Sequence, residues 1–270
     1  MKRNFSTLAC MDATIPQLIR YAKDAGMDAL EIRLDRQDRI CGIPQTELSA
    51  ALAMLRENGI GITDLGTSIS LMDYEPEKIQ KAKDTAALAA LVGAKGLRLF
   101  AGGSVITIHD VSAHNLDGIV RSVKEINAYV QPLGVELWLE THSYFSTGER
   151  MKQILDGVNS PNVKVIWDMI HSVEFGESPA QTVACIGGSI AHVHLKDGRK
   201  SLDAERVVYE LTALGAGTLP IQETMQCLRE ISFDGYLSLE WESAWHPKLN
   251  SLYTDIPDLL AAYNRYLDAV

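Results

Sequence analysis

Four side chains of metal-ligating type sit at the ends of four short apolar runs: Glu140 closes VELWLE, Asp168 closes VKVIWD, His194 lies in AHVHLK, and Glu240 lies in YLSLEW. In VELWLE, AHVHLK and YLSLEW every second residue is apolar, the period of a strand with two different faces. Val135, Leu137 and Leu139 fall on one face of the first run and Glu136, Trp138 and Glu140 on the other. Likewise Ala191, Val193 and Leu195 oppose His192, His194 and Lys196, and Leu237, Leu239 and Trp241 oppose Ser238 and Glu240. The same parity places Glu31, Arg33, Arg98 and Asp168 with the polar set. Carboxylates gathered on a buried face need positive charge. One imidazole and three carboxylates form a hard, mostly oxygen donor set, which suits one divalent cation: Mn²⁺ first, with Mg²⁺, Co²⁺ or Zn²⁺ as alternatives. The competing reading is an ion-pair network with Arg33, Arg98, Lys196 and Arg199, His194 being a core histidine.

The elements that must carry these residues repeat along the chain. Eight short strand candidates, FSTLAC, DALEIR, IGITDLG, GLRLF, VELWLE, VKVIWD, AHVHLK and YLSLEW, alternate with amphipathic stretches such as TIPQLIRYAKDAG, TELSAALAMLRENG, PEKIQKAKDTAALAALVGA, NLDGIVRSVKEINAYVQPLG, ERMKQILDGV and IPDLLAAYNRYLDA. Several of the helical stretches end in Gly, a frequent helix terminator. Strand and helix in strict alternation predict parallel strands with helical crossovers. Eight units predict a closed (β/α)₈ barrel, one domain over residues 1–270, rather than an open doubly wound sheet. The open sheet also carries a Gly-rich first turn, and CMDAT supplies none. In such a barrel the polar face points inward and active sites form at the C-terminal strand ends.

Composition narrows the function classes. The 270 residues are 46% hydrophobic and 22% charged, as in an ordinary globular protein. With 25 basic and 35 acidic residues the net charge is −10, which disfavours nucleic acid and anionic membrane as partners. No run approaches the roughly 20 apolar residues of a membrane span, so a cytoplasmic protein is expected. Cys10, Cys41, Cys185 and Cys227 have no paired spacing and read as reduced, mostly buried thiols. A homo-oligomer is left open.

The segments LETH (139–142), WDMIH (167–171), HVHLKD (192–197) and LEWE (239–242), with GAGTLP (215–220) between the last two, resemble the sugar-phosphate isomerase/epimerase superfamily, the xylose-isomerase-like barrels. The resemblance is specific in the second half of the chain and a matter of strand and helix rhythm in the first. It implies that Glu140, Asp168, His194 and Glu240 hold the metal and that His171 contacts substrate or metal. It further implies a catalytic pair, Glu140 and Glu240, one removing a proton next to a carbonyl and the other returning it. Lys196, Arg199, Arg98, His142 and Trp167 are then candidate substrate contacts, and the partner is a small sugar or polyol-derived molecule. The free-ketose 3-epimerases carry an Asn-Arg-Tyr-Glu type segment after their strand-five glutamate, where this chain reads Thr141, His142, Ser143, Tyr144 and Phe145. Inosose dehydratases, hydroxypyruvate isomerases and 3-dehydroshikimate dehydratases therefore stand beside isomerases and epimerases as expectations. The endonuclease-four type of repair enzyme shares the four ligands but needs further histidines, where this chain has TDLGTS and RLFAGG. A sugar-binding barrel without catalysis is a third class, disfavoured by a complete ligand set.

Overall fold

The computed structural model describes residues 1–34, 40, 42–44, 46–103, 114–202 and 208–270. Eight parallel strands form one curved sheet: β1 (Lys2–Phe5), β2 (Ala29–Arg33), β3 (Gly61–Leu71), β4 (Gly96–Ala101), β5 (Glu136–Glu140), β6 (Val163–Asp168), β7 (Ile190–Leu195) and β10 (Tyr236–Leu239). The neighbour order β1, β10, β7, β6, β5, β4, β3, β2 brings the first two strands together at the ends. The seam is drawn shut by a parallel bridge between Ser6 and Glu31 and by the amide of Arg33 donating to Oγ1 of Thr7 at 2.8 Å. A short antiparallel hairpin, β8 (Asp197–Lys200) with β9 (Tyr209–Thr212), lies beyond β7.

Helices α1 (Ile15–Asp24), α2 (Leu48–Glu57), α3 (Pro76–Val92), α4 (Leu116–Val130), α5 (Gly148–Val158), α6 (Met169–Glu174), α7 (Pro179–Ile186), α8 (Ile221–Glu230) and α9 (Ile256–Ala269) surround the sheet. Their ends follow local chemistry. Ser178 caps α7 by accepting from the amide of Gln181, whose side chain accepts from the Ser178 amide at 2.9 Å. At the other end of a helix, α3 stops at Gly93 with φ 73°, a left-handed turn that glycine adopts without a Cβ penalty. The core fills the layer between strands and helices: Leu137, Leu139, Val165, Val193, Leu195, Leu237 and Leu239 are all buried. Each such side chain contributes about 1.5–3 kcal/mol.

The eight-stranded parallel barrel is as the alternation predicts, but the first strand sits earlier than FSTLAC. It ends at Phe5, and Ser6 starts a 3-10 turn over Thr7–Cys10 by accepting from the Leu8 amide at 3.3 Å. A hydroxyl that bonds its own backbone two residues on competes with the ladder. Of the cysteines, Cys227 is buried, Cys10 and Cys185 are half-buried, and Cys41 lies outside the described residues. No helix among the described residues is long and apolar enough to cross a membrane.

Candidate active site

Glu140 ends β5, Asp168 ends β6, His194 is the penultimate residue of β7, and Glu240 directly follows β10. All four are buried, and one ligand atom from each lies within 4.8 Å of the others. Asp168 also caps α6, with Oδ1 accepting from the Ile170 amide at 3.3 Å, so its other oxygen turns into the barrel. That oxygen, Oδ2, makes an ion pair with Lys196 Nζ at 2.8 Å whose angles fall outside those of a hydrogen bond. Nδ1 of His194 likewise has no hydrogen-bond partner among the described residues, and stands 3.3 Å from Glu240 Oε2 and 3.6 Å from Glu140 Oε1. Buried nitrogen and oxygen atoms without hydrogen bonds, converging in a hard donor set, are what a divalent cation would satisfy. The residues fit such an ion.

Buried cations balance the carboxylates. Arg98 donates through NH1 to Glu140 Oε2 at 2.6 Å, lies 3.7 Å from Glu240, and donates through NH2 to the Thr67 carbonyl at 2.8 Å. Lys196 donates to Glu240 and Glu242 as well as pairing with Asp168. Burial alone would raise the Glu140 carboxyl, yet Arg98 and His194 hold it down to about 2. Glu240 is likewise held well below its ordinary value, His194 and Lys196 overcoming burial. For Asp168 burial wins over Lys196 and His171, and its value is raised. His171 bonds Glu174 at 2.8 Å through Nδ1 and lies 3.3 Å from Asp168 through Nε2. Against burial, Asp168 and Glu174 push His171 up to about 9. The neighbouring ring of His142, 4.8 Å away between centroids, is pushed down to about 3 by burial and by His171. One imidazolium and one neutral imidazole thus face the same cavity.

That cavity, about 250 Å³, opens at the C-terminal strand ends. It is lined by Glu140, Asp168, Glu240, Arg98, His142, His171 and Lys196 from the expected set. Two expected contacts are elsewhere. Trp167 faces the helices, as parity next to inward Asp168 requires, and its Nε1 donates to Ser172 Oγ at 3.2 Å inside the apolar core. Arg199 is exposed on β8, its Nε donating to the Ala216 carbonyl at 2.6 Å, and it does not line the cavity. Lining residues not expected as contacts from the sequence are Leu8, Arg33, Phe100, Glu242, Trp245 and His246. Arg33 was placed inside the barrel by parity, and Glu242 closes the LEWE motif. Trp245 and His246 belong to the segment after β10, where an aromatic and a histidine at a strand's C-terminal exit were the available signal. The turn GAGTLP wraps Asp197: the amides of Gly215 and Gly217 donate to its Oδ2, both at 2.9 Å. A Cβ on Gly217 would meet that carboxylate at 2.0 Å, so only glycine fits there.

A parallel barrel with a three-carboxylate, one-imidazole centre at its C-terminal mouth defines a class of metal-capable barrel proteins. The chain belongs to the xylose isomerase-like TIM barrel family, whose model matches residues 19–262. A 3-dehydroshikimate dehydratase from Bacillus anthracis is 24% identical over 241 residues, 83% of this chain and 84% of that protein. An uncharacterised protein of Methanocaldococcus jannaschii is 29% identical over 133 residues, and the match spans only 43% of its length. Among solved structures, an IolI protein with a bound zinc atom superposes with a TM-score of 0.78 at 19% identity, covering 100% of this chain and 97% of that one. A D-psicose 3-epimerase determined in the presence of D-fructose has a TM-score of 0.78 at 17% identity, covering 100% and 98%. Both structural likenesses are likenesses of fold.

Proposed function

We propose that the protein is a divalent-metal-dependent isomerase or epimerase that acts on a small sugar-like hydroxy-carbonyl compound by removing the proton next to the carbonyl. The observation that carries this reading is the convergence of one ligand atom each from Glu140, Asp168, His194 and Glu240 within 4.8 Å of one another, the three carboxylates lining a cavity of about 250 Å³. These four residues would hold the ion, Mn²⁺ being preferred and Mg²⁺, Co²⁺ or Zn²⁺ able to replace it. Once bound, the ion supplies Lewis acidity, drawing electron density from a carbonyl and acidifying the adjacent C–H. The proton work falls to the chain. Glu140 and Glu240 are carboxylates held ionised by Arg98 and Lys196, and so are available to take a proton and return it. Arg33, Arg98, Lys196 and protonated His171 face Glu140, Asp168, Glu240 and Glu242, so the lining is balanced alone and becomes positive with a divalent cation. A positive pocket stabilises the negative charge that develops on the substrate oxygens during proton removal.

Loss of water from the same kind of substrate is the second reading. It is favoured by the presence on one wall of a proton-bearing Lys196 and His171, which can protonate a departing hydroxyl, and by the extent of the match to the dehydratase of Bacillus anthracis. Both readings begin at the same C–H. In D₂O with Mn²⁺, a panel of ketoses, ketose phosphates, inososes and small 2-keto and 3-keto acids is expected to contain a compound that takes up deuterium beside its carbonyl. Glu140→Gln and Glu240→Gln should each abolish the uptake. An isomeric product supports the first reading and an unsaturated one the second. No exchange by any compound, with metal demonstrably bound, would refute both.

A further inference from the structure

Beneath the four candidate ligands lies a second, fully buried group that the proposed chemistry does not use: Glu31 on β2, His192 on β7 and Ser238 on β10. We propose that Glu31 is a positioning residue for the metal centre, fixing which ring nitrogen of His194 is free to bind the ion. This rests on reading the four residues above it as a metal centre.

Oε2 of Glu31 is the convergence point. Nε2 of His194 lies 3.0 Å from it, Nε2 of His192 lies 3.1 Å from it, and the Ser238 hydroxyl donates to it at 2.7 Å. A carboxylate has only lone pairs to offer, so the nitrogen of His194 that faces it must carry the proton. The other nitrogen, Nδ1, is the one that faces Glu140 and Glu240 without a hydrogen bond. A cation entering among Glu140, Asp168 and Glu240 takes the place of any proton on Nδ1, while the Nε2 proton stays committed to Glu31, so the ring then presents the Nδ1 lone pair to the centre. In the opposite tautomer an N–H would point at the ion and a lone pair at the carboxylate, and both contacts would repel. A carboxylate behind a ligating imidazole orients the ring and strengthens the ligand. His192 shares the same Glu31 oxygen but contributes no atom to the four-residue cluster, which makes it the natural control.

The rival occupant of this layer is a second cation held by Glu31, His192 and His194, whose ligand atoms also lie within 4.8 Å of one another. We favour hydrogen bonding because Ser238 occupies the same oxygen and the group is sealed from solvent. Zn²⁺ titration with a competing chromophoric chelator, together with ¹⁵N–¹H correlation spectra of the imidazoles in the Zn²⁺-loaded protein, separates the cases. Wild type should bind one equivalent and show His194 protonated at Nε2. Glu31→Gln should lower Zn²⁺ affinity about 10- to 100-fold, whereas His192→Gln should lower it less than about threefold. In metal-free Glu31→Gln at a pH where the ring is neutral, the His194 proton should move toward Nδ1. Should that variant fail to fold, Glu31→Asp keeps the charge, withdraws the oxygen by one methylene, and is expected to lose about tenfold. Unchanged affinity and tautomer in the Glu31 variants would overturn the proposal, as would an equal loss in His192→Gln, which marks mere packing. Two equivalents in wild type, falling to one in Glu31→Gln, would overturn it in favour of a second ion. If wild type binds no Zn²⁺ at all, the metal-centre reading falls and this inference falls with it.

Discussion

Lys196→Met tests whether the buried charges of the site are balanced in the way the structure implies. The Lys196 side chain is 3% exposed and its Nζ pairs with Asp168, Glu240 and Glu242, whose side chains are 0%, 6% and 18% exposed. Methionine keeps the length of the chain and removes the charge, leaving three carboxylates in one pocket with Arg98 and the histidines to compensate. Stranding buried charge in this way costs about 3–5 kcal/mol. For a chain of this length that corresponds to a melting temperature lower by about 10 °C. A divalent cation bound to Asp168 and Glu240 supplies the missing positive charge and is relieved of repulsion from Nζ, so it should bind the variant more tightly than wild type. Metal stabilises the folded state by RT ln(1 + [L]/Kd), about 2.7 kcal/mol at a hundredfold excess over Kd. The assay is thermal melting of both proteins with chelator and with Mn²⁺. Lys196→Met should melt well below wild type in chelator, and the gap should narrow with Mn²⁺. Equal melting in chelator, or a gap that widens on adding metal, would refute the charge argument.

Three further outcomes follow from the same structure. Asp168→Asn should weaken Mn²⁺ binding by more than about tenfold while leaving the fold intact, measured by titration and circular dichroism, since the residue supplies both a ligand oxygen and a cap that asparagine retains. Gly96→Ala should destabilise by about 1–3 kcal/mol in urea unfolding, because the new Cβ would stand 2.4 Å from the Trp138 ring, which its hydrogen bond to Glu136 and its contact with His192 hold in place; an unchanged midpoint would disprove the close approach. The Asp64 carboxyl is raised from 3.8 to about 6 by burial and by Glu31, so between those values the unfolded chain releases a proton that the folded chain keeps, and the contribution of Asp64 to wild-type stability falls as pH rises. Asp64→Asn, which cannot titrate, should therefore gain on wild type by about 3 kcal/mol between pH 4 and 7, and a difference that stays flat with pH would count against the raised value.

The way parity succeeded and failed along the strands shows what kind of information a single chain carries. Alternation in VELWLE, AHVHLK and YLSLEW was enough to turn Glu140, His194 and Glu240 inward, because a strand in a barrel has only two sides and the helices claim the apolar one. Applied to VKVIWD, the same rule puts Trp167 outward, where the structure has it; its assignment to the substrate came from aromatic chemistry and overrode the pattern. Arg199 is a candidate by its charge and its nearness to Lys196 in sequence, but its residues pair with Tyr209–Thr212 in a hairpin whose strands are too far apart in sequence for a tight-turn signature to announce it. Trp245 and His246 lie outside any strand, where no period says which way a side chain points. Glu31 shows a deeper limit. Its parity was legible, but its partners Ser238 and the two histidines come from strands two and three places round the barrel, and their meeting depends on register: Ser238 stands level with His194 on neighbouring strands while Glu31 reaches them past β1. Alternation tells which side chains enter the barrel, and the stagger of the strands decides how deep each one sits. His192 and His194 are both inward by sequence, one layer apart, and only that stagger makes one a candidate ligand and the other a companion of the carboxylate beneath it.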